Sequence, residues 1–450
     1  MALTLRSAIP ADEAVGRHAV PLAEAQPKTT DCLRSSPAAA SRSSGEASHG
    51  SDEFYRERAA LTRRLIVEHG VDAVAVEADW PDAYRVNRCV PGLAGGADGE
   101  EALAGFERFP AWMWRNVVVL DFVEWLCTYN AALSPERRVG FYGLDLCSLF
   151  GSIAAVLDHL DRVDPEAARR ARDRYGCFDR FAEDSDAYGY TTRFDLDLSC
   201  EHAVVSQLRE MVARDGENAC GAAGADGDAV FHAVQNARLV KNAEAYYRAM
   251  FGSRVSSWKL RDRHMAETLA ALDEHLSRRA GRPARIAVWH TTRTSATPAP
   301  PGWAKAASST SASWCEQHGA AAALLGFSTH HGTVTAASDW GDPFETKQVR
   351  PALSGSCEDL LHRAGGERCR VILRGHRELQ QAFAAPRLQR AIGVIYRPKS
   401  ERQSHYCRAR LARQVDAIVH IDETHALQPL DPSSDAPAAP KAPATYPSAV

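Results

Sequence analysis

No run of apolar residues in this chain approaches the roughly 18–20 that a bilayer-spanning helix needs, so nothing here reads as a membrane span. Charge of one sign is also lacking. With 53 Lys and Arg against 57 Asp and Glu, the net charge is −4. That balance leaves no electrostatic footprint for nucleic acid or an anionic membrane surface. Paired cysteine motifs are missing as well: the 11 cysteines contain no C-x-x-C and no zinc-ribbon spacing. An odd, scattered set reads as reduced thiols in a cytosol, most of them small apolar side chains. The N-terminal stretch MALTLRSAIPADEAVGRHAV has no apolar h-region, so no secretory signal and a cytoplasmic location are expected. Several standard catalytic motifs do not occur. There is no H-E-x-x-H, no P-loop and no G-x-G-x-x-G, and GFSTH at Gly326 lacks the final glycine of a nucleophile elbow.

What remains is a soluble globular composition, 45% apolar and 24% charged, over 450 residues, too long for one ordinary core. Residues 1–44 are expected to be poorly ordered, because KTTDCLRSSPAAASRSS (28–44) has no apolar period, and the Pro/Ala-rich tail 430–450 likewise. Between them the pattern predicts an α/β fold, a mainly parallel sheet flanked by helices. Residues 45–147 and 280–340 form the main α/β domain, 148–279 an all-helical insertion, and 341–429 a smaller C-terminal α/β unit. The first helix starts at Ser51 or Asp52, follows Phe54, Arg58, Leu61, Leu65 and Ile66, and stops at Gly70. VDAVAVEADWP reads as a buried strand carrying Glu77, RVGFYGLDL as a strand ending at Asp145, and ARIAVW as a strand ending at His290. RAIGVIYR and DAIVHID are expected as further strands. Residues 291–318 have neither a helix nor a strand period.

Ligands bind at the carboxyl ends of strands in such sheets. Glu46, His49, Glu77, Asp145 and His290 are therefore expected on one edge of one sheet. In GEASHG, Glu46 lies three residues before His49, and a carboxylate there would fix the tautomer of an imidazole able to take a proton from water. The alternative is a helix cap by Ser48 and His49 with Glu46 solvated. Arg58 could pair Glu77 or stabilise developing negative charge; a structural ion pair is the plainer reading. Asp145 carries the same two readings. His330 and His331 in GFSTHHGT read as a polar loop.

Seven blocks in order, GEASHGSDEFYRERAALTRRLI, VAVEADWPDAYRVNRCV, RFPAWMWRNVVVLDFVEWL, FYGLDL, LRDRHMAETL, THHGTVTAASDW and IYRPKSERQSHY, resemble the erythromycin esterase family over roughly residues 45–425. The resemblance implies a hydrolase of ester or lactone bonds, with a possible role in macrolide resistance and substrates beyond macrolides. It implies no cofactor and no metal: a histidine, matching His49, acts as general base on water. Glu46 and Glu77 match its carboxylates and Arg58 its arginine, with Asp145, His264 and His290 on the substrate side. The partner is then a small ester or lactone, with no nucleic acid and no membrane.

One block departs. After the strand ending in Trp289 the family carries a pattern like Trp-Ala-His-Asn-Ser-His-Val-Gly-Asp-Ala, whereas this chain reads WHTTRTSATP. Writing the family pattern in GC-rich codons and removing one base after the Trp codon returns Trp289 to Pro298 as they stand, with the frame restored near Cys315. The frame neighbouring SRSS similarly encodes an apolar run that would be a missing first strand. Two function classes follow: an esterase-type hydrolase, or an impaired, ligand-binding homologue lacking the second histidine motif. A metal-dependent hydrolase built on His49 and carboxylates is a third.

Overall fold

Helix Asp52–His69 forms as its spacing predicts: Phe54, Arg58, Leu61, Leu65 and Ile66 are all buried, one stripe on one face. Gly70 ends it in the left-handed region at φ 61°, and its N–H returns to the Ile66 carbonyl at 3.2 Å. Glycine adopts that backbone without a Cβ penalty.

The computed structural model describes residues 9–22, 41–89, 98–181, 184–218, 225–251, 254–291 and 322–431. The strands, in chain order, are β1 (Val20–Pro21), β2 (Ser41–Glu46), β3 (Ala73–Asp79), β4 (Gly140–Asp145), β5 (Ile286–Thr291), β6 (Ala322–Ala337), β7 (Phe344–Val349), β8 (Arg368–Ile372), β9 (Arg387–Arg390), β10 (Tyr406–Ala409) and β11 (Ala417–Thr424). The chain divides into two units, Met1–Val74 with Asp98–Val139 and Pro283–Val450, and Ala75–Ala97 with Gly140–Arg282.

The first unit contains the strand order β1-β8-β11-β6-β2-β5, with β7 beside β6. Its centre is parallel: β2 pairs in parallel with β5 and β6, and β6 with β11. The flanks are antiparallel, β8 on β11, β1 on β8 and β7 on β6. The C-terminal α/β stretch thus extends the sheet through β8 and β11. The second unit holds Ala75–Asp79 of β3 with β4 as its neighbour, and the helical region: Leu149–Val163, Pro165–Tyr175, Ser185–Phe194, Glu201–Asn218, Ala225–Met250 and Arg254–Ala280.

Five expectations change. Residues 1–44 were expected to be irregular, yet Ala11–His18 is a helix and Ser41–Ser44 belongs to β2. A polar strand is held there because both its neighbours supply ladder hydrogen bonds, which outweigh local propensity. His330 and His331 lie inside the long strand β6, not in a loop. RAIGVIYR is not a ladder strand; it runs extended and makes isolated bridges, Ile392 with Ser48 and Ile395 with Ala337. Cys177 and Cys200 form a disulfide with a Cα–Cα distance of 6.0 Å, so these two depart from the reduced-thiol reading. Arg58 pairs Glu46, a carboxylate not among its expected partners, as detailed below. Residues 24–40, 292–318 and the tail from 432 lie outside the described residues. Among the described residues no helix is long and apolar enough to cross a membrane.

Central strands of parallel sheets are normally Val- and Ile-rich. Ser44 of β2 is buried between Trp289 of β5 and Leu325 of β6, its register partners, and its hydroxyl donates to the Val288 carbonyl at 3.3 Å. That long bond is a weak return for a position surrounded by apolar side chains. Ser44→Val is therefore expected to raise stability by about 1 kcal/mol, read as a higher urea midpoint at unchanged slope. A lower midpoint would mean that the serine hydroxyl is required where it stands.

Candidate functional site

Strand β2 ends at Glu46, and the chain turns through Ala47, Ser48, His49 and Gly50 into helix Asp52–His69. Glu46 and His49 are both buried, at 2% and 6% exposure, so the solvated-carboxylate alternative does not hold. His49 Nδ1 lies 2.9 Å from Glu46 Oε1. A carboxylate only accepts, so Nδ1 carries a proton, and in the neutral imidazole the lone pair is on Nε2. The other carboxylate oxygen faces Arg58 Nη1 at 2.9 Å. Arg58 comes from the second turn of the following helix, and its guanidinium carbon lies over the Tyr55 and Trp289 rings, 4.5 and 4.8 Å from their centroids. Such contacts contribute roughly 0.5–2 kcal/mol each and hold the cation flat. Arg58 Nε and Nη2 are buried and meet no hydrogen-bond acceptor among the described residues.

The loop is fixed by backbone bonds. Ile392 N–H donates to the Ala47 carbonyl at 2.7 Å, and His49 N–H donates to the Ile392 carbonyl at 3.2 Å. The Gly50 carbonyl accepts from Thr335 N–H at 3.0 Å and Leu427 N–H at 2.8 Å. Gly50 packs so closely on β6 that a Cβ would sit 1.9 Å from the Thr335 carbonyl oxygen. Only glycine fits that approach. His290 is buried in β5, its Cα partner in β2 being Gly45; the residue opposite Glu46 is Thr291. By the two-residue pleat His290 is set on the face of Gly45, not that of Glu46.

The second unit holds Glu77, Asp145 and His264. Glu77 of β3 and Asp145 at the end of β4 are joined by one cation, Arg261 of helix Arg254–Ala280. Arg261 Nε donates to Asp145 Oδ1 at 2.8 Å, and Nη2 reaches Asp145 Oδ2 at 2.6 Å and Glu77 Oε1 at 2.8 Å. Burial opposes ionisation of Asp145, but the forked Arg261 contact outweighs it and holds the carboxyl below its ordinary value. Burial likewise opposes the charge on Arg261, which Asp145 and Glu77 overcome, so the guanidinium stays charged. Sequence reasoning missed Arg261. The signal was present, since LRDRHMAETL places Arg261 and His264 one turn apart on a helix.

His264 is buried. It accepts at Nδ1 from Asn242 at 2.8 Å and has Thr268 Oγ1 3.3 Å from Nε2. Burial pushes its pKa down to about 4, against Asp145, which raises it. In the first unit, the His330 ring stacks on His362 at 3.9 Å, while Asp422 accepts from His362 and His420 at 2.7 and 2.8 Å. Burial and the neighbouring His362 push His330 down to about 4. Among the described residues no group of three or more His, Cys, Asp or Glu side chains converges as a metal site.

The His264 value fixes a pH dependence. Between about pH 4 and 6.5 the unfolded chain binds a proton on this imidazole that the folded chain refuses, so stability rises with pH across that window. His264→Gln is expected to remove about 1–2 kcal/mol of the gain between pH 5 and 7, read from urea midpoints at the two pH values. An unchanged slope would mean the imidazole is protonated in the fold.

Three solved structures share this fold. A succinoglycan biosynthesis protein matches with a TM-score of 0.73 at 19% identity, covering 93% of this chain and 97% of that one. A Bacillus cereus protein matches at 0.75 and 16%, covering 94% and 98%. A mutant of the erythromycin esterase EreC in its open conformation matches at 0.62 and 15%, covering 88% and 92%. The erythromycin esterase family model matches residues 66–424. The chain belongs to the erythromycin esterase family.

Proposed function

We propose that the chain is an ester- or lactone-directed hydrolase in which His49 activates water. The observation that carries the reading is the buried Glu46 carboxylate, which accepts from His49 on one oxygen and is ion-paired with Arg58 on the other. With the proton on Nδ1, Nε2 can take a proton from water as the oxygen attacks a carbonyl. Glu46 then stabilises the imidazolium that results. Arg58, held against two rings with Nη2 not engaged by any described acceptor, is suited to the negative charge that develops on the carbonyl oxygen. Glu77 is the further carboxylate of this reading. Asp145, His264 and His290 are proposed to bind substrate, a small ester or lactone such as a macrolide, in a cytoplasmic setting. The protein would then act in antibiotic resistance only if a macrolide is its substrate.

A second reading has its own support. Trp289 is followed by HTTRTSATP, and His290 is out of register with Glu46, so the second histidine motif of the family is absent as the chain is written. A ligand-binding homologue of low activity fits that feature.

Hydrolysis of p-nitrophenyl esters and of a macrolide lactone separates the readings. Under the first, the chain turns over at least one of them, His49→Ala lowers the rate at least about 100-fold, and Glu77→Gln acts similarly. His331→Ala should matter less. Wild-type turnover in His49→Ala removes the general-base role. No turnover by this chain, with turnover by a version carrying the family pattern after Trp289, decides for the second reading.

A further inference from the structure

The block IYRPKSERQSHY has no part in the chemistry above, yet it surrounds a fully buried cation. Arg390, at the end of β9, is 2% exposed. Its Nη1 donates to the Thr329 and His330 carbonyls at 3.2 and 3.0 Å, and its Nη2 to the Arg350 carbonyl at 2.6 Å. Nε is paired with Glu401 at 3.0 Å, and the same Glu401 oxygen accepts from Tyr396 Oη at 2.9 Å. The Tyr406 ring lies 5.3 Å from the guanidinium carbon. One side chain therefore ties β6, the segment after β7 and the short helix Glu401–Ser404 to β9.

The three residues that begin at Arg390 are each held by their own N–H. Arg390 N–H donates to the buried Glu358 at 3.0 Å, Ala391 N–H to the His405 carbonyl at 2.9 Å, and Ile392 N–H to the Ala47 carbonyl at 2.7 Å. Ile392 returns its carbonyl to His49 N–H at 3.2 Å. A short segment with one end anchored in a buried ion network thus clasps the turn that carries Glu46 and His49. Beyond Glu46 the turn has no ladder of its own: its Gly50 end is held by Thr335 and Leu427, and its Ala47–His49 part by this clasp.

We propose that Arg390 is a positioning residue for the His49 base, acting through Ala391 and Ile392 on the Ala47–Gly50 turn. The proposal rests on the reading of His49 as the base, but its structural half does not need turnover. A buried guanidinium that donates to three carbonyls and pairs with Glu401 is only partly replaced by lysine, which keeps the charge but whose single nitrogen cannot span them. A base displaced by about 1 Å loses on the order of 100-fold in rate while binding is little changed.

The test compares Arg390→Lys, Arg390→Met and the double variant Arg390→Met/Glu401→Gln, which removes the Glu401 carboxylate together with the cation and leaves buried Glu358 its bond from the residue-390 N–H. Two quantities are read: kcat and KM for p-nitrophenyl acetate, and amide exchange by mass spectrometry. The expected result is a fall in kcat of about 10–100-fold with KM within about twofold. Exchange should rise in peptides covering 45–50 and 390–393 and stay unchanged in peptides covering 58–66 and 417–421. Arg390→Lys should recover part of kcat. Wild-type kcat with protected 45–50 peptides overturns the proposal. So does exchange that rises equally everywhere, or failure of all three variants to fold, since either makes Arg390 a general structural residue. If the unmutated chain does not hydrolyse the ester, the catalytic reading fails on its own and exchange alone decides the positioning claim.

Discussion

A single buried carboxylate sets the terms for the first unit. Glu46 sits at the end of the central strand β2, where almost no water reaches it, and its charge is balanced by Arg58 and shared with His49. Removing one partner from such an arrangement costs about 3–5 kcal/mol, because a charge is left buried and uncompensated. The surroundings follow from that constraint. Arg58 must be buried too, and the Tyr55 ring of its own helix and the Trp289 ring of β5 both lie against its guanidinium. Trp289 in turn donates from Nε1 to Thr62, one turn further along the same helix, at 2.9 Å. Strand, turn and helix are thereby tied to one charge.

The second unit solves a similar problem with the signs exchanged. There one partly buried cation, Arg261, serves two carboxylates, Asp145 and Glu77, which lie on strands β4 and β3. The geometry is a fork on Asp145 and a single contact on Glu77, so Asp145 is the more tightly held of the two. Buried His264 stands one turn along the same helix as Arg261 and stays neutral, which keeps a second positive charge away from the guanidinium.

Much of this was legible in the sequence, for physical reasons that differ by element. Helix Asp52–His69, its glycine stop, strands β3, β4, β5 and β11, and the helical region all carry strong periodicity, and each forms. The Glu46–His49 pair was legible because three residues on a tight turn leave few other partners. Strand β2 was not: SRSS has no β propensity, and only the hydrogen bonds of β5 and β6 on either side make it a strand. His330 and His331 resemble a loop in the sequence because Gly326, Gly332 and the polar run GFSTHHGT mimic one. The pairing of β6 with β11 and β7 carries the strand straight through them. The partner of Arg58 could not be read from spacing either, since a long side chain on a helix reaches several carboxylates and burial chooses among them. Arg261 and Arg390 belong to the same class. Each acts across more than a hundred residues of sequence or through backbone carbonyls, which no local pattern records.

The account turns on which nitrogen of His49 holds the proton. The most direct measurement is the ¹⁵N chemical shift of the two ring nitrogens of His49, in protein labelled at histidine and assigned by comparison with a His49→Gln spectrum. Protonated Nδ1 with an unprotonated, pyridine-like Nε2 near neutral pH is the predicted result, with the Nδ1 proton shifted downfield by the Glu46 carboxylate. An unprotonated Nδ1 with the proton on Nε2 would contradict it, because the base would then present a proton rather than a lone pair to water.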